Sequence, residues 1–286
     1  MFCLNLNFNK YNIMKKLILG LSTLVVLFSS CSTNDDTTTV PEVPITSVIL
    51  AKKIITTDVA LDAYVITSDL TFNGSKIAEK NVVSTDPATL ASKEVYTYTG
   101  DLITKIETFT AGVSSETQSY TYDSNNVLSS ALTIKAGKTS ETKIVYVPNT
   151  DGTVNYTESS IVITTNLETI GNKGKLSFVN GDLVKKEILN DKTSTGGSLV
   201  TTLITFEYDT ANSTNKNILG FDKLYLTSLN NTVKRTTLTT TTPFGGTTTS
   251  VTSVTTNGFL YNSSNFPTQR TASIDGAISS TSQILY

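Results

Sequence analysis

Tyr120-Thr121-Tyr122-Asp123-Ser124-Asn125-Asn126-Val127-Leu128 sets two rings two residues apart, then a polar turn, then a second apolar run. Residues i and i+2 of a strand point to one face. Tyr120 and Tyr122 therefore share a face, and Thr121 takes the other. Asp and Asn favour the local hydrogen bonding and left-handed backbone of tight turns. The segment predicts a β-hairpin. On an unbroken period of two, the return strand puts Leu128, Leu132 and Ile134 on one face.

Similar units recur along the chain. They are Leu70-Thr71-Phe72 before NGSKI, Tyr96-Thr97-Tyr98 before TGDLI, and Ile144-Val145-Tyr146 before VPNTDGTV. Further on come Leu176-Ser177-Phe178 before VNGDLV, Phe206-Glu207-Tyr208 before DTANSTN, and Phe259-Leu260-Tyr261 before NSSNF. Their second aromatics lie between 24 and 53 residues apart, too irregular for a solenoid with a fixed period. A lone hairpin is marginal in water and needs neighbours to pair with. The expected fold is all-β: an antiparallel meander of hairpins forming a curved or barrel-like sheet.

Two stretches break the pattern. Residues 212–226 (NSTNKNILGFDKLYL) form a long connection with room for a helical turn near Ile218 to Lys223. Residues 232–256 are almost pure Thr around Pro243-Phe244-Gly245-Gly246. They read as a long hairpin, polar on both faces and weak in register, that projects beyond the core or forms a sheet edge.

Composition agrees and excludes. The 286 residues include 52 Thr, a β-branched residue that favours strands yet keeps a hydroxyl for water. Charged residues are 16%, against roughly a quarter in ordinary domains. There is no His, which removes Ser-His-Asp triads, Cys-His dyads and His-ligated zinc or iron. Arg235 and Arg270 are the only arginines and the pI is about 5.3, so nucleic acid is a poor partner. No cofactor is implied.

The N-terminus reads as an address. Lys15 and Lys16 precede an apolar run from Leu17 to Phe28, followed by Ser29-Ser30-Cys31. This is the layout of a secretory signal peptide, too short to span a bilayer as a helix, with Met14 an alternative start. Phe28-Ser29-Ser30-Cys31 resembles the lipobox of bacterial lipoproteins, with Phe where Leu is usual. The resemblance implies cleavage before Cys31 and lipidation of its thiol; a soluble secreted protein cut nearby is the alternative. Cys3 leaves with the leader, so no disulfide framework remains. Ser32, Asp35 and Asp36 resemble the surface-export signal of Bacteroidota lipoproteins, and equally suit a plain polar tether. The Thr/Pro-rich stretch to residue 45 reads as a linker. The domain reading is thus a signal peptide at 1–30, a lipidated Cys and tether at 31–45, and one hairpin-repeat domain at 46–286. Three of the 22 basic residues precede Cys31 and all 24 acidic residues follow it, which leaves the mature chain at −5. Acyl chains rather than charge would have to hold it at an anionic surface.

The hairpin units resemble the YD-type repeats of Bacteroidota surface proteins, through Tyr120, Tyr122, Asp123 and Leu128. Asn126 stands where that repeat has Gly. Residues 261–267 (YNSSNFP), following residues 212–220, resemble the closing unit of flavobacterial lipoproteins to which no activity is assigned. The resemblance implies a curved antiparallel sheet and carries no catalytic residue.

Three groups of residues offer chemistry. Asp101, Glu107, Glu187, Glu207 and Asp209 are the carboxylates on which a hydrolase would draw, yet most sit beside Lys and read as solvated cross-strand charge pairs. Asn149, Asp151, Asp123 and Asn125 offer oxygens for calcium but lack enough carboxylates, and Asx turns account for them. The tyrosines suit a core face, or alternatively a sugar- or peptide-binding platform. The expectation is an outer-membrane lipoprotein, lipid-anchored in the cell envelope and facing outside. It would be a non-catalytic structural or binding module with a polymer or protein ligand. A glycan-binding accessory of a nutrient-uptake system is the alternative, and a carboxylate-based hydrolase comes third.

Overall fold

The computed structural model describes residues 48–59 and 63–286. The signal peptide, Cys31, Ser32, Asp35, Asp36 and the tether to residue 45 lie outside the described residues. Strands alternate with turns throughout. They are β1 (Lys53–Asp58), β2 (Val65–Asn73), β3 (Lys76–Ser84), β4 (Ser92–Thr99), β5 (Leu102–Thr110) and β6 (Val113–Tyr122). Next come β7 (Leu128–Lys135), β8 (Ser140–Pro148), β9 (Val154–Val162), β10 (Leu167–Val179) and β11 (Asp182–Asp191). The last are β12 (Leu199–Asn212), β13 (Asn230–Thr242), β14 (Thr249–Tyr261), β15 (Pro267–Ile274) and β16 (Ala277–Leu285). Each strand pairs antiparallel with its sequence neighbours, and β1 pairs with β16, so the 16-strand meander closes into a barrel. Closure removes the sheet edges that a Thr-rich open meander would leave bare.

The recurring aromatic units fall at the ends of the even-numbered strands β2 to β14, each leading into a turn at the same end of the barrel. Ile284-Leu285-Tyr286, closing β16, is an eighth copy: Ile284 is buried and Tyr286 packs edge-on against Phe266 at 5.7 Å. Just past the turn, an extra residue bulges from the return strand in six hairpins, as Ala78, Thr104, Ser129, Val184, Val233 or Thr268. In five of the six the bulge lets an aromatic face the first apolar residue of the return strand, as with Phe72 opposite Ile77, Tyr98 opposite Ile103 and Tyr122 opposite Leu128; at the Val233 bulge Tyr208 faces Thr232. Bulges sharpen local twist and cluster at barrel rims.

The bulge corrects one expectation. Ser129 resets the period of β7, so Leu128 stays on the buried face while Leu132 and Ile134 turn outward; Ile134 is 39% exposed. The Thr-rich hairpin is also corrected in part. It is not an edge, because β13 pairs with β12 along most of its length and β14 pairs with β15 from Thr255 to Tyr261. Only its tip outruns the wall. There Asp275, in the β15–β16 turn, accepts the Val254 N–H at 2.7 Å and ends the ladder. The expected helical turn is present as a 3-10 turn at Phe221–Lys223.

Gly174 on β10 shows how closely the wall is packed. The Tyr156 ring lies across it, and the Tyr156 hydroxyl donates to the Glu187 carbonyl at 3.2 Å. A Cβ at position 174 would sit 1.9 Å from that oxygen and 2.6 Å from the ring. Backbone cannot yield as a flexible side chain would. Gly174→Ala is expected to cost about 3 kcal/mol or more by denaturant titration. Gly258→Ala, where nothing lies within 4 Å, should stay close to wild type.

Candidate functional site

Residues 213–229, between β12 and β13, visit almost the whole circumference. Beside their start, Asn212 N–H donates to Asn265 O in the β14–β15 turn. Asn217 Nδ2 donates to Ile49 O ahead of β1 at 2.9 Å, and Leu219 N–H to Ser75 O in the β2–β3 turn at 3.0 Å. Gly220, at φ +83°, then lies so close to the β4–β5 turn that a Cβ would meet Asp101 O at 2.8 Å. Tyr225 packs at a tilt against Tyr146 of β8 and Phe178 of β10, with centroids 5.0 and 5.8 Å away. The segment ends at β11, where buried Asp182 accepts the N–H groups of Leu229 and Asn230 at 2.7 and 3.2 Å.

Such a circuit cannot run outside. Sixteen strands spaced about 4.8 Å apart and tilted about 40° give a perimeter of about 100 Å. Seventeen residues reach at most about 60 Å fully extended. The segment therefore crosses the bore as a plug, and the side chains that meet it face inward. By the strand alternation, so do both members of every aromatic unit.

The plug rests on those rings. Phe221 packs on Tyr96 at 6.2 Å, and the hydroxyls of Tyr98 and Tyr208 reach Leu219 O and Ser228 Oγ. Tyr122 donates to Ile103 O at 2.8 Å, joining neighbouring hairpins. Burial pushes the hydroxyls of Tyr98, Tyr120, Tyr122, Tyr146 and Tyr156 up to about 12. Tyr96 is pushed higher, by burial first and then by its 2.5 Å hydrogen bond to Glu94.

Further along the bore the inner wall turns polar. Lys80 pairs with Glu94 at 3.0 Å, and Glu116 accepts Gln118 at 2.6 Å and faces Lys135 at 3.4 Å. Glu158 accepts Asn172, which in turn accepts Asn190, each at 2.9 Å. Burial lowers the pKa of Lys186, against an upward pull from Glu158. Its ammonium lies 5.5 Å from the centre of the Tyr156 ring.

The outer wall is of a different kind. Lys53–Asp69, Lys93–Glu79, Lys105–Glu107, Lys185–Glu187 and Lys234–Glu207 all pair on it, at 2.8–3.1 Å, with Thr and Ser between them. Two of these, Lys105–Glu107 and Lys185–Glu187, join residues two apart on one strand and are not cross-strand pairs.

The expected carboxylates do not converge. Asp101 pairs with Lys76 at the turn end, while Glu107, Glu187 and Glu207 lie on separate stretches of outer wall. Asp209 caps the β12–β13 junction, accepting Ala211 N–H, Asn231 and the Tyr261 hydroxyl. Asp123 and Asp151 act as turn acceptors, for Asn125 and Val127 N–H and for Thr153. Among the described residues no group of three or more Cys, Asp or Glu could hold a metal. The residues missed in the sequence are those of the plug. Their signal was the one long connection, carrying Phe221 and Tyr225 amid polar residues.

Two outcomes follow from the plug. Asp182→Ala leaves two buried N–H donors unpaired and should cost about 2–4 kcal/mol, whereas Asp182→Asn retains an acceptor and should cost less, by chemical denaturation. Stability should also fall as pH rises from about 10 to 12. There the unfolded chain's tyrosines lose protons that the folded chain's raised pKa values retain, so the folded state binds more protons. Circular dichroism and tyrosinate absorbance should change together in that window.

No protein family and no curated protein matches this chain. Among solved structures, a porin-like protein from Bacteroides uniformis is similar with a TM-score of 0.47 and 10% identity, over 82% of this chain and 96% of that one. A porin-like protein from Bacteroides vulgatus is similar with a TM-score of 0.47 and 14% identity, over 83% of this chain and 98% of that one.

Proposed function

We propose that the protein is a plugged, water-exposed barrel held at the bacterial outer membrane by a lipid on Cys31, serving as a binding or structural module at the cell surface. The observation that carries this reading is the outer wall. A barrel that crosses a bilayer presents an apolar band about 25 Å tall, bordered by aromatic girdles, and each Lys or Arg at mid-membrane costs about 2–4 kcal/mol. Here five ion pairs are spread over the outer wall, among Thr, Ser and single exposed apolar residues such as Val83, Ile134, Leu189 and Leu260, and the aromatic units point inward. A wall of this composition suits water, so attachment has to come from elsewhere in the chain.

The leader and Cys31 supply such an attachment. The hairpin units would then belong with the YD-type repeats of surface lipoproteins, and Ser32, Asp35 and Asp36 would direct export. A glycan- or polymer-binding role is favoured over a hydrolytic one by the scattered carboxylates.

Cys31→Ala tests anchoring and spanning together. The variant is expected in the soluble fraction, without detergent and without fatty-acid label, while the wild type pellets with outer membranes and takes up label. A variant that still pellets after carbonate extraction would show that the barrel itself inserts, and would overturn the reading.

A further inference from the structure

The chain's two arginines stand apart from its other cations. In ten ion pairs among the described residues the cation is a lysine. Arg235 and Arg270 lie on β13 and β15, within four consecutive strands, β13 to β16, that contain no Asp or Glu. Arg270 faces inward, opposite Phe259 on one side and Ser282 on the other. Among the described residues it has no ion-pair partner, and its Nε is buried without a hydrogen bond. Burial depresses its pKa. A guanidinium half-buried in this way, with its Nε unpaired, has lost part of its hydration without gaining a counter-ion, and its planar fork is suited to a bidentate oxyanion.

Arg270 borders a cavity of about 370 Å³ between the plug and the wall formed by β13–β16 and β1. No carboxylate lines it. Ile54, Phe259 and Ile284 give one apolar side, and Thr56, Ser282, Asn231 and Asn257 are polar. The two amides are fixed through their N–H groups: Asn257 Nδ2 donates to Thr232 O at 2.9 Å and Asn231 Nδ2 to Asn212 O at 3.1 Å. That leaves their carbonyl oxygens to accept from a guest. Thr56 and Ser282 share one hydrogen bond at 2.9 Å, so one of the two hydroxyls keeps a free proton. The site thus combines one fixed cation, acceptors for hydroxyls, and an apolar side for a ring face. Its volume falls at the lower end for small-ligand sites.

We propose that this cavity binds a small sugar acid of about monosaccharide size, with its carboxylate on Arg270 and its hydroxyls on Asn231, Asn257 and the Thr56–Ser282 pair. A neutral sugar would leave the guanidinium unpaired. A bare phosphate would leave the amide oxygens and the apolar side without a partner. This goes beyond the anchoring proposal and stands or falls separately from it.

Titration calorimetry on the full chain, purified in mild detergent, tests the assignment with glucuronate and galacturonate as probes. Glucose, galactose and inorganic phosphate serve as controls. At least one uronate is expected to bind at least tenfold more tightly than its neutral sugar and than phosphate. Arg270→Gln should weaken uronate binding at least tenfold, and Arg270→Lys should weaken it less. Thermal melting without ligand separates binding from folding: Arg270→Gln should melt at or above the wild-type temperature, because it removes a buried unpaired charge. Failure of both uronates to bind, phosphate binding as tightly as uronate, or unchanged uronate binding by Arg270→Gln would each overturn the proposal. A fall in the apo melting temperature of Arg270→Gln would overturn it as well, by making the arginine structural.

Discussion

Closing sixteen strands into one sheet creates a space that side chains alone cannot fill. At ordinary strand spacing and tilt the wall has a radius of about 16 Å, and barrels of this size elsewhere enclose aqueous channels. A protein that buries aromatic rings on the inner wall must therefore bring in backbone to cover them. Residues 213–229 do this, and the consequences run through the whole chain. Rings must arrive at one height from every second strand, which the aromatic–x–aromatic units achieve. Return strands must offer an apolar residue opposite the second ring, which the bulges achieve. Backbone polar groups of the plug need partners in mid-bore. Asp182, the Tyr98 hydroxyl and the Ser75 carbonyl provide them, while Ile49 O and the Tyr208 hydroxyl hold the plug's Asn217 and Ser228 side chains.

Much of this was legible in the sequence. The period of two, the turn chemistry and the recurring rings specify antiparallel hairpins, and the β-branched composition specifies an all-β fold. Tyr120 and Tyr122 were read correctly as sharing a face, and Asp123 as a turn residue. What periodicity could not reveal was the bulge at Ser129. An extra residue leaves the local pattern of apolar letters nearly unchanged while turning Leu132 and Ile134 outward. The expected barrel-like sheet is present, and what nothing local encodes is the closing register, since the pairing of β1 with β16 joins residues more than 200 positions apart. The Thr-rich hairpin looked like an edge because both its faces are polar. Its pairing with β12 on one side and β15 on the other makes it an ordinary stretch of barrel wall.

The candidate sites were harder to read, because chemistry and packing use the same letters here. Asp151 and Asp123 resemble metal ligands in sequence, and in the fold their oxygens are taken by Thr153 and by Asn125 and Val127 N–H. Asp209 resembles a catalytic acid and is taken up by Asn231 and Tyr261. The plug could be located as an irregular connection. Its role could not, since the role depends on which strands stand opposite one another across the bore.

The distribution of cations separates surface from interior more sharply than hydropathy does. Lysines carry a strongly hydrated charge on a flexible stem, and on the outer wall they sit beside carboxylates where water screens both. Such half-exposed pairs contribute little to stability. Both arginines instead lie on β13 and β15, in the arc whose strands carry no Asp or Glu, and Arg270 is half-buried there. Glu94, Glu116 and Glu158 lie on β4, β6 and β9, on the opposite arc, and are taken up by Lys80, Lys135 and Asn172. The bore is thus divided into a self-neutralised side and a side with cationic charge left over. A fold that needed only to fill space would place a neutral side chain at position 270, where an unpaired guanidinium opposes folding. Retaining it there makes sense where the missing anion comes from outside the chain.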